Sequence, residues 1–133
     1  MKKFTTVFML ILLTVFIAGC SKKNNEFVIG IGQFAEHGSL DNCREGFVAG
    51  LKEAGYIEGE NLKILYENAQ ADANMASQIS KNFIAKKVDL ICAIATPMAQ
   101  SAFGAAKNTN IPVIFTAVTD PIKAELAKED GTP

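Results

Sequence analysis

Four short apolar runs rich in β-branched residues alternate with segments whose apolar residues recur every three or four positions, and this alternation leaves few folds open. The runs occupy 27–32, 62–66, 88–94 and 111–116. Near-continuous apolar character suits strands covered on both faces, as in a parallel sheet. Between the runs, Leu40, Cys43, Phe47, Leu51 and Ala54 mark one face of a helix that Gly55 is placed to end. Asp72 is expected to cap a second helix with Met75, Ile79 and Phe83 as its apolar stripe. Thr96 is expected to cap a third, with Pro97 at its first position and Ala99, Ala102, Phe103 and Ala106 packing it closely. Residues 122–128 have the pattern of a fourth helix start. The expected fold class is α/β, an open parallel sheet with helices on both faces. Lys63 and Glu67 give the second strand an exposed, edge-like look. Right-handed crossovers then favour the strand order 2-1-3-4.

The chain ahead of the first run is of another kind. Lys2 and Lys3 precede an apolar stretch, and Ala18 and Gly19 stand directly before Cys20. This is the three-part layout of a secretory signal. The stretch resembles a bacterial lipoprotein signal, in which the cysteine is lipidated and becomes the mature N-terminus. It is short for a membrane span, which needs roughly 20 apolar residues. The expected organisation is a signal peptide at 1–19, lipidated Cys20 with a polar tether at 20–26, and one domain at 27–133. That organisation places the protein outside the cytoplasm, held to the bacterial membrane by its lipid. Cys43 and Cys92 fall in apolar patterns and are expected as buried free thiols, a disulfide between them being the alternative. A net charge of -1 offers no basis for a nucleic-acid partner.

In open parallel sheets, ligands bind beyond the carboxyl ends of the strands, where the strand order reverses. With order 2-1-3-4 the relevant loops are 33–39, 95–98 and 116–120. The first offers Gln33, Glu36 and His37, with an ordinary solvated loop as the alternative. In the second, Thr96 and the amides of Met98 and Ala99 at a helix start suit a carboxylate or phosphate, or serve only as a cap. In the third, Thr116, Thr119 and Asp120 are candidates; Asp120 either pairs with an ammonium group or caps the segment after Pro121. Asn68 and Gln70, after an edge strand, look poorly placed. His37 is the only histidine, which excludes a multi-histidine metal site. Residues 30–35 fit G-x-G-x-x-A, but the glycines fall inside the strand pattern and no acidic residue follows at the required distance. A nucleotide- or flavin-binding enzyme is therefore disfavoured, and no cofactor is expected. Ser39 and Ser101 lack a nucleophile-elbow context, and Cys92 lies within a strand, so no catalytic constellation is visible.

Several short motifs occur in order: IGQFAEH at 31–37, REGF at 44–47, LKEAGY at 51–56, YENAQ at 66–70, AIATP at 93–97 and FTAVTDP at 115–121. Together with the signal they resemble the beginning of a type I-like ABC-transporter substrate-binding lipoprotein, closest to the branch of tryptophan- and tyrosine-binding proteins. The resemblance implies one lobe of a two-lobed periplasmic-binding-protein fold that closes on a small ligand by hinge motion. It implies delivery of an aromatic amino acid to a membrane permease driven by a separate ATPase. It further implies that Thr96 and the amides after it take the ligand carboxylate and Asp120 the amino group. Since such receptors are roughly twice this length, the chain reads as a truncated N-terminal lobe. A surface lipoprotein with an adhesion or signalling role and no transport is the alternative from another functional class.

Overall fold

The first apolar run becomes β1 (Phe27–Gln33), a strand inside the sheet with a parallel neighbour on each side. In the computed structural model, which describes residues 26–130 and 132, β1 is followed by α1 (Gly38–Glu53), β2 (Leu62–Asn68), α2 (Ala73–Ala85), β3 (Leu90–Ile94), α3 (Thr96–Ala106) and β4 (Val113–Thr116). The four strands form one parallel sheet in the order β2-β1-β3-β4, as expected from the sequence. The signal and the lipidation expected at Cys20 lie outside the described residues. Among the described residues, no helix is long and apolar enough to cross a membrane.

Side chains alternate across the sheet and divide the core in two. Ile29, Ile31, Leu62, Cys92 and Ile94 face α1, which covers them with Leu40, Cys43, Phe47, Val48 and Leu51. No residue of α1 is fully buried, so α1 lies over this face as a half-wetted cover. Ile91 and Ala93 face the other way, against α2 and α3 through Ala76, Ile79, Phe83, Met98, Ala99 and Ala102. The two glycines of β1 point to this second face. A Cβ on Gly30 would stand 2.7 Å from the Phe83 ring, and one on Gly32 would stand 2.7 Å from Met98 Cε. The G-x-G spacing therefore serves helix-to-sheet contact and not phosphate binding.

The helix ends follow local chemistry. Asp72 caps α2, accepting from the Met75 amide at 2.8 Å. Gly55, at φ +89°, ends α1. Its amide bonds to the Lys52 carbonyl and the Tyr56 amide to the Leu51 carbonyl, a Schellman arrangement.

Several expectations are corrected. Gln33 belongs to β1, and α1 begins at Gly38, so the first loop is shorter than 33–39. Met75 is 44% exposed; the α2 stripe is Ala76, Ile79, Ser80 and Phe83, shifted by one residue at its N-terminal end. Ala54 is an exposed C-cap and no part of the α1 contact face. Residues 122–128 form turns and no helix: Glu125 is left-handed at φ 59°, and the Leu126 amide reaches back to the Pro121 carbonyl at 2.8 Å. β3 starts at Leu90, because ahead of it a side chain takes over the pairing. Asp89 Oδ2 accepts from the Val28 amide at 2.7 Å, where a strand carbonyl would ordinarily stand. β4 starts at Val113, after Pro112, which has no N–H to donate.

Candidate functional site

Four loops meet at the carboxyl edge of the sheet. The loop after β1 is anchored by the Phe34 amide on the Ile94 carbonyl at 3.2 Å. The loop after β2 bonds directly to it, through Ala69 N to Gln33 O and Ala71 N to Phe34 O, both at 2.8 Å. This revises the view of Asn68 and Gln70 as poorly placed. Asn68 Oδ1 holds the Gln70 amide at 2.8 Å, and Gln70 lies in the loop that buttresses the first one. The loop after β3 is tied to the end of β4 by Ala95 N to Thr116 O at 3.0 Å.

Backbone strain concentrates at this edge. Gln70 (φ 53°) and Ala71 (φ 60°) follow β2, Ala95 (φ 80°) follows β3, and Ala117 (φ 56°) follows β4. Left-handed backbone costs a residue with a Cβ about 1–3 kcal/mol, and it persists where the surroundings over-determine it. Ala95, with ψ 152°, is the most strained of these, in a region otherwise used almost only by glycine. Sequence reasoning missed these alanines because nothing in an alanine signals a left-handed backbone.

The expected site residues divide by what already holds them. Gln33 is fully buried and gives its amide hydrogens to Ala35 O at 2.8 Å and Asp41 Oδ1 at 2.9 Å. His37 is the N-cap of α1. Its Nδ1 accepts from the Ser39 amide at 3.2 Å, which puts the ring N–H on Nε2, facing outward. Glu36 is exposed beside it.

Thr96 does not cap α3. The cap is Ala95, which has no side chain able to bond, and Thr96 is the first helical residue. The Ala99 amide is spent on the Ala95 carbonyl at 3.0 Å, so it is not open to a ligand. What remains at this helix start are the amides of Thr96 and Met98, Pro97 having none, with the positive end of the helix dipole behind them. Met98 is fully buried, its amide included, with its side chain under Gly32.

Thr116 is half-buried at the end of β4, and Thr119 is exposed. Asp120 accepts from the Lys123 amide at 3.0 Å and pairs with Lys123 Nζ at 3.3 Å. It thus makes the capping contact that the sequence allowed as its alternative role.

Other chemistry is sparse. Cys43 and Cys92 are both free thiols, Cys92 buried and Cys43 half-buried. Burial, with the nearby Cys43 adding to it, pushes the Cys92 thiol up to about 12, which makes it inert as a nucleophile. Among the described residues, no group of three or more histidine, cysteine or acidic side chains is placed to hold a metal. A hollow of about 460 Å³ lined by Phe103, Ala106, Lys107, Ile111, Pro112 and Val113 lies along the outer flank of α3 and β4, away from the four loops. Beside it, Ile114 and Phe115 of β4 are 41% and 37% exposed.

Comparison with known proteins places this geometry. The model of the family described as ABC transporter substrate binding protein matches residues 28–133. The chain is 48% identical over 113 residues to a tyrosine-binding protein of Clostridioides difficile (strain R20291), covering 85% of this chain and 32% of that one. It resembles the ligand-free, open structure of a substrate binding protein with adhesive properties from Clostridium difficile, with 46% identity and a TM-score of 0.73 over 77% of this chain and 34% of that one. It also resembles an ABC domain from Streptococcus pneumonia in complex with L-Trp, with 39% identity and a TM-score of 0.72 over 78% of this chain and 34% of that one. The chain thus spans about a third of the length of the relatives it matches. Sheet order and a family match across nearly all of the described residues agree: the chain belongs to the ABC transporter substrate-binding protein family.

Proposed function

We propose that this chain supplies the N-terminal lobe of an extracytoplasmic solute-binding lipoprotein, held to the membrane through Cys20, that delivers an aromatic amino acid to an ABC permease. The observation that carries the reading is the α3 start. Strained Ala95 leaves the Thr96 and Met98 amides without a side-chain cap, beside the loops after β1 and β4. Such a helix start suits the ligand carboxylate. Thr116, Thr119 and Asp120 supply polar groups next to it; Asp120 meets the ligand ammonium by exchanging its contact with Lys123. Glu36 and His37 form the rim on the β1 side, and the buried Gln33 braces that loop through Ala35 and Asp41. The aromatic side chain is proposed because relatives at 48% and 39% identity are a tyrosine-binding protein and a protein complexed with L-Trp.

A binding protein of this kind needs two walls and a hinge. Calorimetric titration of amino acids, one at a time, into a form carrying both lobes is expected to give binding with tyrosine or tryptophan. Absence of heat with every aromatic amino acid would sink the proposal. The 133-residue chain alone presents one wall and is expected to bind weakly; a sub-micromolar dissociation constant measured on it would overturn that part. A second reading, a surface adhesin, draws on the adhesive properties of the relative at 46% identity. Retained attachment to host cells by a variant unable to bind amino acids would favour it.

A further inference from the structure

Among the described residues, two buried side-chain polar atoms have no hydrogen-bond partner, Gln33 Oε1 and Arg44 Nε. They belong to neighbours. Gln33 Nε2 donates to Asp41 Oδ1 at 2.9 Å, and Arg44 Nη2 lies 3.8 Å from the same oxygen. Each orphan is two covalent bonds from an atom held at Asp41. Neither side chain is free to turn its orphan elsewhere. Flipping the Gln33 carboxamide would set its oxygen against the Ala35 carbonyl and the Asp41 carboxylate, so Oε1 is fixed as an acceptor. Arg44 is held by Asp41 and by Glu45 at 3.4 Å, with its guanidinium carbon 4.9 Å from the centre of the Tyr66 ring. Its Nε can only donate.

We propose that Gln33 and Arg44, joined through Asp41, form a binding site for one neutral hydroxyl group, which accepts from Arg44 Nε–H and donates to Gln33 Oε1. The selection is narrow. An ammonium donates but cannot accept. A carboxylate or carbonyl accepts but cannot donate, and Asp41 already supplies the negative charge. A hydroxyl does both. A buried polar group without a partner is destabilising, so one oxygen removes two penalties together. The hydroxyl has two sources, an internal water or a hydroxyl carried by the small ligand; only the second rests on the proposed function. Either would tie the first turns of α1 to the end of β1. The Gln33 and Phe34 carbonyls there hold the loop after β2, so the occupant would also brace two of the four edge loops.

The test is nuclear magnetic resonance on the full chain, reading magnetisation transfer from water to Arg44 Hε and to the Gln33 side-chain amide. A long-lived water cross-peak at both is expected for the chain alone, with its loss in Gln33→Met. Because Gln33→Met also removes two other hydrogen bonds, Arg44→Lys is the second variant. It keeps a cation beside Asp41, removes Nε–H, and is expected to abolish the cross-peak at Gln33. In a second arm, excess tyrosine or phenylalanine is added. Displacement of the water by tyrosine alone assigns the site to a ligand hydroxyl, and persistence with both assigns it to water. A direct Arg44–Gln33 hydrogen bond, seen as scalar coupling across it, or rapid exchange of Arg44 Hε with bulk solvent, overturns the proposal. If neither amino acid binds this chain, the first arm still decides the site, and the titration of the two-lobed form decides the proposed function separately.

Discussion

Replacing Gly30 by alanine tests whether the glycines of β1 exist to let helices approach the sheet. The new Cβ would stand 2.7, 2.8 and 2.9 Å from three atoms of the Phe83 ring. Phe83 is fully buried and its ring is rigid, so the contact must be relieved by moving α2 or tilting the ring against its neighbours. Overpacking of this kind costs about 1–3 kcal/mol. Alanine also reduces the entropy of the unfolded chain, which returns about 0.4–1 kcal/mol where the backbone permits it. The net expectation is a loss of roughly 1–2 kcal/mol, enough to lower a urea midpoint by about 1 M at an ordinary slope. Gly32→Ala is the internal control. Its Cβ would meet Met98 Cε at 2.7 Å, Sδ at 3.0 Å and Cγ at 3.2 Å, atoms of a buried but flexible side chain. Its steric cost is therefore expected to be smaller than that at Gly30. Urea unfolding followed by circular dichroism reads both variants. Combining Gly30→Ala with Phe83→Leu is expected to destabilise less than the two changes added, because they share one contact. Equal midpoints for Gly30→Ala and the parent chain would refute the close-approach argument.

Asp72→Ala removes the α2 cap and is expected to cost about 0.5–2 kcal/mol in the same assay, whereas Asp72→Asn stays near the parent. Thr96→Ala is expected to change stability by less than about 0.5 kcal/mol, since Thr96 caps nothing, and a cap-sized loss would contradict the assignment of Ala95 as N-cap. Ala95→Gly relieves the left-handed strain and is expected to raise stability by about 1 kcal/mol, seen as a higher melting temperature. Burial pushes the Cys92 thiol up to about 12, so the folded state gains from holding it neutral below the ordinary thiol range. That contribution is lost as the pH rises through that range toward 12; Cys92→Ala is expected to show a flatter stability profile over that window.

The sheet was the most legible part of the chain. A buried parallel strand needs apolar side chains on both faces, and residues 27–32 and 88–94 show that need openly. The edge position of β2 was readable from Lys63, which is indeed exposed. Boundaries were less legible where a side chain does backbone work. Asp89 pairs with Val28 before β3 begins, and no pattern of hydropathy reports that. At the site, sequence named the loops at the carboxyl edge, because their meeting there follows from strand order alone. It misjudged Thr96, since a threonine before proline fits a cap followed by the first helical residue, and only the dihedral angles of Ala95 show that the helix starts one residue earlier. Met75 failed for a related reason. Shifting a helical stripe by one position turns a residue by about 100°, which takes a large apolar side chain from core to solvent.

The placement of β1 has a consequence for the order in which this molecule can assemble. Its strand partners all lie later in the chain: Phe27 must wait for Leu62, and Ile29 for Leu90, before either finds its neighbour across the sheet. This strand, paired on both sides in the finished sheet, is therefore translated before its partners and stays unpaired longest. Closing those long loops is an entropic toll that no local contact offsets in advance. A chain built this way stays open while its later segments are still being made, the condition in which an unfolded polypeptide is threaded across a membrane.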